Sequence, residues 1–223
     1  MAHDTQVPLD VLRIASTSGS VRVQAVVGLG EVTVDGAAIA IEGSEATVGS
    51  TSSRLRVRVP EGIDLVIGTS SGRVEVLGNV GSVAVVTTSG KVSVDEAEAV
   101  DIRTRSGKVD VDAVVGDCRI IGSSGGVTVG RCGSAHVTTN SGRITLRGVH
   151  GAVHAHCASG RIDITMATAS DVDAETVSGR ISIAMPAGAK VRVETPNSPV
   201  VAEHDECTCV VTARSGSGRV VVG

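Results

Sequence analysis

Histidines and carboxylates occupy matching positions of a repeat in the second half of the chain. His136, His154 and Asp173 each lie six residues before a recurrent glycine, and His156 and Glu175 lie four residues before it. If the apolar residues between them point inward, all five side chains point outward together. Stacked imidazoles and carboxylates could bind Zn²⁺ or a similar ion. The alternative is a polar surface patch, and because no metal-ligand motif is present we assign no metal, cofactor or catalytic residue.

A basic residue follows the recurrent glycine in most repeats. The members of this basic column are Arg54, Arg73, Lys91, Lys108, Arg143, Arg161, Arg180 and Arg219. A mixed acidic and polar column lies two positions further on, at Glu75, Asp110, Thr128, Thr145 and Asp163. The basic column could bind a polyanion such as teichoic acid, or lipid head groups. We favour the alternative that neighbouring columns pair and keep the strands soluble, because charge rows are usually solvated faces.

The cysteines indicate neither a disulfide framework nor a reactive centre. They are Cys118, Cys132, Cys157, Cys207 and Cys209, an odd number without framework spacing. The first three fall at inward positions, where a thiol acts as a small hydrophobe. Cys207 and Cys209 share one strand face, for which we favour a structural role over metal binding. A reducing cytoplasm is the simpler interpretation of this cysteine usage.

Nothing in the chain forms a recognisable catalytic constellation. The many serines belong to a repeated turn, which explains them structurally. No phosphate-binding loop of the Gly-x-x-x-x-Gly-Lys-Ser/Thr type is present. The hexapeptide acyltransferases need an aliphatic residue every six positions, and the pectin-degrading β-helices have wider coils, so neither class matches. We therefore predict that the protein is not an enzyme.

The elements that must position these columns are set by a repeat. Ser-Gly and a basic residue precede two aliphatic residues that flank a polar one, as in Ser71–Val76. The central markers Gly72, Gly90, Gly107, Gly125, Gly142, Gly160 and Gly179 are 17 to 19 residues apart. A fixed period of this kind is typical of a solenoid. It is too short for a crossover helix, so we predict an all-β, single-stranded parallel β-helix of about twelve coils, right-handed, each coil stacked on the next.

Alternation and composition agree with a narrow interior. Val74 and Val76 should point inward while Arg73 and Glu75 point outward. The chain contains no Phe, Tyr or Trp, and a coil this small has no room for a ring. Because sugar faces and unstacked bases are commonly gripped by aromatic side chains, their absence disfavours a lectin or single-strand nucleic-acid binder.

Charge and hydropathy limit the partners further. The net charge is −4, which gives no general attraction to nucleic acid. No apolar stretch approaches 18 residues and no secretory leader is evident, so we expect no membrane span and a cytoplasmic location. The repeats leave no room for another domain. We predict a single β-solenoid domain over residues 1–223, with an N-terminal cap strand in residues 1–15 and repeats from 16 to 223.

The repeated Thr-x-Ser-Gly-[Lys/Arg]-[Val/Ile] phrase, together with the corners Val59–Gly62 and Met185–Gly188, resembles the bacterial adhesin-like family DUF4097 from about Ile14 to Val222. The resemblance implies a β-solenoid, often tied to the cell envelope, and offers no catalytic residues. We therefore expect a non-enzymatic scaffold or interaction protein whose partner is a protein or an envelope component, with envelope association through that partner as the alternative location.

Two alternatives remain open from the sequence. One is a polyanion- or metal-binding module built on the columns described above. The other is a self-assembling protein similar to the bactofilins, because the last coil ends at Val220–Gly223 without a charged or helical cap. An open apolar edge invites strand-to-strand association. That alternative predicts a homo-oligomer paired end to end through the C-terminal coil.

Overall fold

The computed structural model describes residues 9–50, 54–189, 191–194 and 209–223. These residues form strands, turns and bends, and none of them is helical, which confirms the all-β prediction. It follows that no helix in this part of the chain could span a membrane. Two compact units are distinguished, Met1–Ala113 and Val114–Gly223. The single domain and the right-handed coil stay predictions.

Seven described strands begin in the first unit. They are β1 (Val11–Ser18), β2 (Val21–Val26), β3 (Thr33–Asp35), β4 (Ile39–Glu42), β5 (Glu45–Ser50), β6 (Leu55–Pro60) and β7 (Asp64–Val114). The alternating burial predicted from the sequence is present, since Val74 and Val76 are buried while Arg73 is exposed. β7 is continuous over Asp64–Val114 and runs through several successive coils.

The first coil does not stack on the next coil along the chain. β1 lies between β5 and β7 in parallel, with Val11 in register with Glu45 on one side and Asp64 on the other. β2 is flanked in the same way by β6 and β7. The prediction of strictly sequential stacking is therefore wrong here. The predicted cap strand in residues 1–15 is internal from Val11 onward, and residues 1–8 lie outside the described part of the chain.

Two short strands pair in antiparallel orientation with the edges of β5 and β6 that face away from β1 and β2. β4 pairs with β5 and β3 pairs with β6. The β4 strand is thus not part of a parallel coil. The reason is the two-residue connection between β4 and β5, in which Gly43 has a φ of 63°. A loop this short joins antiparallel strands only.

The second unit contains the remaining strands. They are β8 (Asp117–Arg131), β9 (Ser134–Val149), β10 (Val153–Met166), β11 (Val172–Ala184), β12 (Val191–Glu194), β13 (Cys209–Ser217) and β14 (Val220–Val222). β8 to β11 stack in parallel and in chain order, as predicted. Ile144, Ile162 and Ile181 form one of the buried rows that result.

The last coil also departs from chain order. β13 pairs with β11, so that Val211 is in register with Val172, and its other side pairs with β12 through Val193. Over Cys209–Thr212 the C-terminal coil is therefore paired on both sides. The open edge on which the end-to-end prediction rested is not present at these residues. β14 pairs with β11. End-to-end association through β14 stays a prediction.

Three threonines of one column tie their coils to their own corners. The Oγ1 atoms of Thr69, Thr87 and Thr139 donate to the carbonyl oxygens two residues further on, at 3.3, 3.1 and 3.2 Å. These threonines are buried, and the hydrogen bond removes the cost of burying a hydroxyl group. The Thr-x-Ser-Gly phrase is thus a structural device, and the residue after it is left to face solvent.

Candidate functional site

Four arginines lie in register on adjacent coils of the second unit. Arg143, Arg161 and Arg180 follow the corner glycines of β9, β10 and β11 and are aligned with one another. Arg219 continues the row, because its carbonyl oxygen accepts a hydrogen bond of 3.0 Å from Ile181 N. All four side chains are exposed. At parallel-strand spacing this arginine ladder (Arg143, Arg161, Arg180 and Arg219) spans about 14 Å.

The arginine ladder carries little compensating negative charge. The neighbouring column holds Thr145, Asp163 and Ser182, which are in register and contribute one carboxylate. Among the side chains that the structure describes, none of the ion pairs reaches a ladder arginine or Asp163. The ladder is therefore a row of like charges held at fixed spacing by the backbone.

Two lysines of the basic column in the first unit are neutralised, as the sequence led us to expect. Lys91 Nζ and Lys108 Nζ each lie 3.1 Å from a different oxygen of Asp110. Burial is the largest single influence on the Asp110 pKa and would raise it, but the hydrogen bonds and charges of Lys108 and Lys91 together outweigh burial and lower it. One carboxylate thus serves two coils, and these lysines are occupied.

The histidines and carboxylates singled out from the sequence do lie together on one outward face. His154 Nδ1 is 3.9 Å from Asp173 Oδ2, and His156 Nδ1 is 3.6 Å from Glu175 Oε2. The rings of His136 and His154 are 6.0 Å apart between centroids. Within the described ranges, no three His, Cys, Asp or Glu side chains converge closely enough to hold a metal ion. The face is a set of pairs and carries no assigned metal site.

The described cysteines are interior residues. Cys118, Cys132, Cys157 and Cys209 are buried. Burial raises the pKa of Cys132 to about 11 and also raises that of Cys118, to which the nearby Cys132 adds. A thiol of this kind stays protonated and is a poor nucleophile at neutral pH. The predicted pairing of Cys207 with Cys209 on one face involves a residue outside the described ranges.

Two arginines of the first unit were not predicted from the repeat phrase. Arg22 and Arg56 are in register on adjacent strands and lie beside Arg54 and Arg73. They were missed because the sequence predicted sequential stacking, whereas β2 lies between β6 and β7. A signal does exist in the alternating run Arg54, Arg56 and Arg58, which places three cations on one face of a strand.

Comparison with known proteins bears on the second unit. The model of the Toastrack DUF4097 family matches residues 114–206. Over these residues the chain is similar to the Toastrack DUF4097 family. The match includes β8 to β11 and thus three arginines of the ladder, and over residues 114–206 it confirms the resemblance drawn from the repeated phrase.

One similar solved structure is the crystal structure of "a putative cell adhesion protein from Clostridium sporogenes ATCC 15579". The two chains are 9% identical, with 97% of this chain and 93% of that chain covered and a TM-score of 0.27. No curated protein matches the chain.

Proposed function

We propose that this protein is a non-enzymatic binding module whose arginine ladder holds a linear polyanion, such as an anionic polymer of the cell envelope. One observation carries the proposal: Arg143, Arg161, Arg180 and Arg219 are exposed, aligned on adjacent coils and outside every ion pair of the described side chains. Like charges on directly opposed positions of neighbouring strands destabilise a sheet. Anions lying along the row would relieve that repulsion.

The geometry favours a polymer over a compact ligand. The row is in register at the level of the backbone, and its charges repeat at the strand spacing of about 4.8 Å. A guanidinium group pairs with a carboxylate or a phosphate through two parallel hydrogen bonds. Because the strands fix the spacing before binding, a chain of regularly spaced anions loses little to reorganisation of the protein. Because the whole chain has a net charge of −4, the attraction of the polyanion comes from the ladder and not from the overall charge of the protein.

Binding of polygalacturonate, which carries one carboxylate per sugar unit, tests the proposal. We compare wild type with the double variant Arg143→Gln/Arg161→Gln at low ionic strength by calorimetry. The matched control is Lys91→Gln/Lys108→Gln, which removes the same charge from residues already paired with Asp110. We expect the ladder variant to bind at least roughly tenfold more weakly and the control to change less than about twofold.

Salt supplies the second measurement. Exposed charge interactions are screened over about 10 Å at 0.1 M salt, so binding should weaken steeply as salt is added. Neutral dextran should not bind at any salt concentration. Equal losses in the ladder variant and the lysine control would overturn the proposal, because net charge alone would then explain the binding. Far-UV circular dichroism establishes that each variant is folded.

A further inference from the structure

A second cluster of arginines lies in the first unit and is concave. It is lined by Ser20, Arg22, Arg54, Arg56, Arg73 and Glu75, and we call it the arginine pocket. These side chains come from three coils that are far apart in the sequence. The pocket exists only because the first coil lies between the β5–β6 coil and the coil that begins at Asp64.

The backbone fixes the pocket at its centre. Arg22 is in register with Arg56 on one side and with Glu75 on the other. Leu55 N donates a hydrogen bond of 2.8 Å to Ser20 O, which joins the two coils beside these side chains. The cationic groups are thus presented by paired strands.

The one carboxylate that lines the pocket is already engaged. Glu75 Oε2 accepts hydrogen bonds from Arg22 Nε at 2.8 Å and Nη2 at 2.6 Å, and Oε1 lies 3.4 Å from Arg73 Nη1. The hydrogen bond from Arg22 is the largest influence lowering the pKa of Glu75, so this carboxylate is ionised at neutral pH.

Two guanidinium groups remain for a ligand. Arg54 and Arg56 take part in none of the ion pairs among the described side chains, although Asp35 is in register with Arg56 across β3. Both arginines are exposed. With four guanidinium groups around one carboxylate, the arginine pocket keeps an excess of positive charge.

We propose that the arginine pocket binds a compact dianion of the phosphate class, held by Arg54 and Arg56 with Arg73 and the Ser20 hydroxyl at its edge. A tetrahedral dianion can accept hydrogen bonds from several guanidinium groups at once, and each such charge-assisted bond is stronger than a neutral one. The arginine pocket lies in the first unit and takes a compact ligand, whereas the arginine ladder lies in the second unit and takes a polymer. It therefore goes beyond the function proposed above.

Inorganic phosphate is the probe, with binding followed by calorimetry and by ³¹P NMR. We expect Arg56→Gln to weaken phosphate binding roughly fivefold, as for the loss of one exposed charge partner. The matched control is Arg103→Gln, an exposed arginine of the same unit that pairs with Asp101 instead of lining the pocket, and it should bind as wild type does. Acetate should bind more weakly than phosphate because it carries one charge.

Glu75→Gln gives a test of opposite sign. Removing the ionised carboxylate frees Arg22 and Arg73, so phosphate should bind more tightly. Weaker binding in Glu75→Gln, equal binding in Arg56→Gln and Arg103→Gln, or no binding of phosphate at millimolar concentration would overturn the inference. Arg143→Gln/Arg161→Gln should leave phosphate binding unchanged, which separates failure here from failure of the ladder proposal. Far-UV circular dichroism checks the fold of every variant.

Discussion

A Cβ atom on Gly142 would overlap the carbonyl oxygen of Gly125 in the neighbouring coil. Gly142 also has a φ of 128°, a backbone conformation that residues with a side chain rarely adopt. Gly160 is related to Gly142 in the same way. The close approach of one corner to the next thus requires a glycine at this position. The Ser-Gly phrase therefore marks the corners at which coils stack.

Replacing Gly142 should be costly for this reason. We expect Gly142→Ala to lower the free energy of unfolding by about 2 kcal/mol or more, since a positive φ and an overpacked contact each cost about 1–3 kcal/mol. Gly126→Ala is the control, because a Cβ there meets nothing within 4 Å. Denaturant titration followed by far-UV circular dichroism measures both. Similar small losses in the two variants would contradict the stacking account.

The inward columns could be predicted from the phrase, but the order of the coils could not. Gly19 and Gly72 are stacked although 53 positions separate them. Every coil presents similar edges, so the phrase does not specify which coil it stacks on. The choice depends on the connections, such as the tight β4–β5 turn, and on how the terminal coils are enclosed. Local alternation carries no information about either.

Because β2 lies between β6 and β7, we expect an energetic coupling between residues that sequential stacking would hold apart. Arg22 and Glu75 approach to 2.6 Å. A double-mutant cycle with Arg22→Ala and Glu75→Ala should give a coupling of about 0.5 kcal/mol, typical of a largely exposed pair. A coupling indistinguishable from zero would argue that the first coil lies elsewhere.

The same contact predicts a pH dependence of stability. The hydrogen bond from Arg22 lowers the Glu75 pKa below its ordinary value of 4.5. The resulting stabilisation is fully present above that ordinary value and is lost as pH falls through the lowered, folded-state pKa. Unfolding free energies of wild type and Glu75→Gln should therefore converge as pH falls below 4.5. A gap that widens on acidification would show that the sign is wrong.

Thiol labelling tests the burial of the cysteines. Because burial raises the pKa of Cys132 to about 11, alkylation at pH 8 should be slow in the native protein at Cys132, Cys118 and Cys157. The same thiols should react rapidly in denaturant. Mass spectrometry of labelled peptides assigns each site. Rapid native labelling of Cys132 would contradict its interior position.

The basic column could be predicted from the sequence, but its division into occupied and available residues could not. Asp110 lies within 3.1 Å of both Lys91 and Lys108, whereas Asp163, at the equivalent position in a later coil, pairs with none of the described side chains. Side-chain conformations across two coils decide that difference. A single repeat phrase specifies the residue types but not those side-chain conformations.

Arginine side-chain NMR on titration with polygalacturonate tests the proposed function most directly. Nε–Hε signals can be assigned by single Arg→Lys substitutions. We expect the signals of Arg143, Arg161 and Arg180 to shift together and saturate, while those of the paired Arg13 and Arg103 stay unchanged. Shifts of equal size at Arg13 and Arg103, or none at the ladder, would contradict the account.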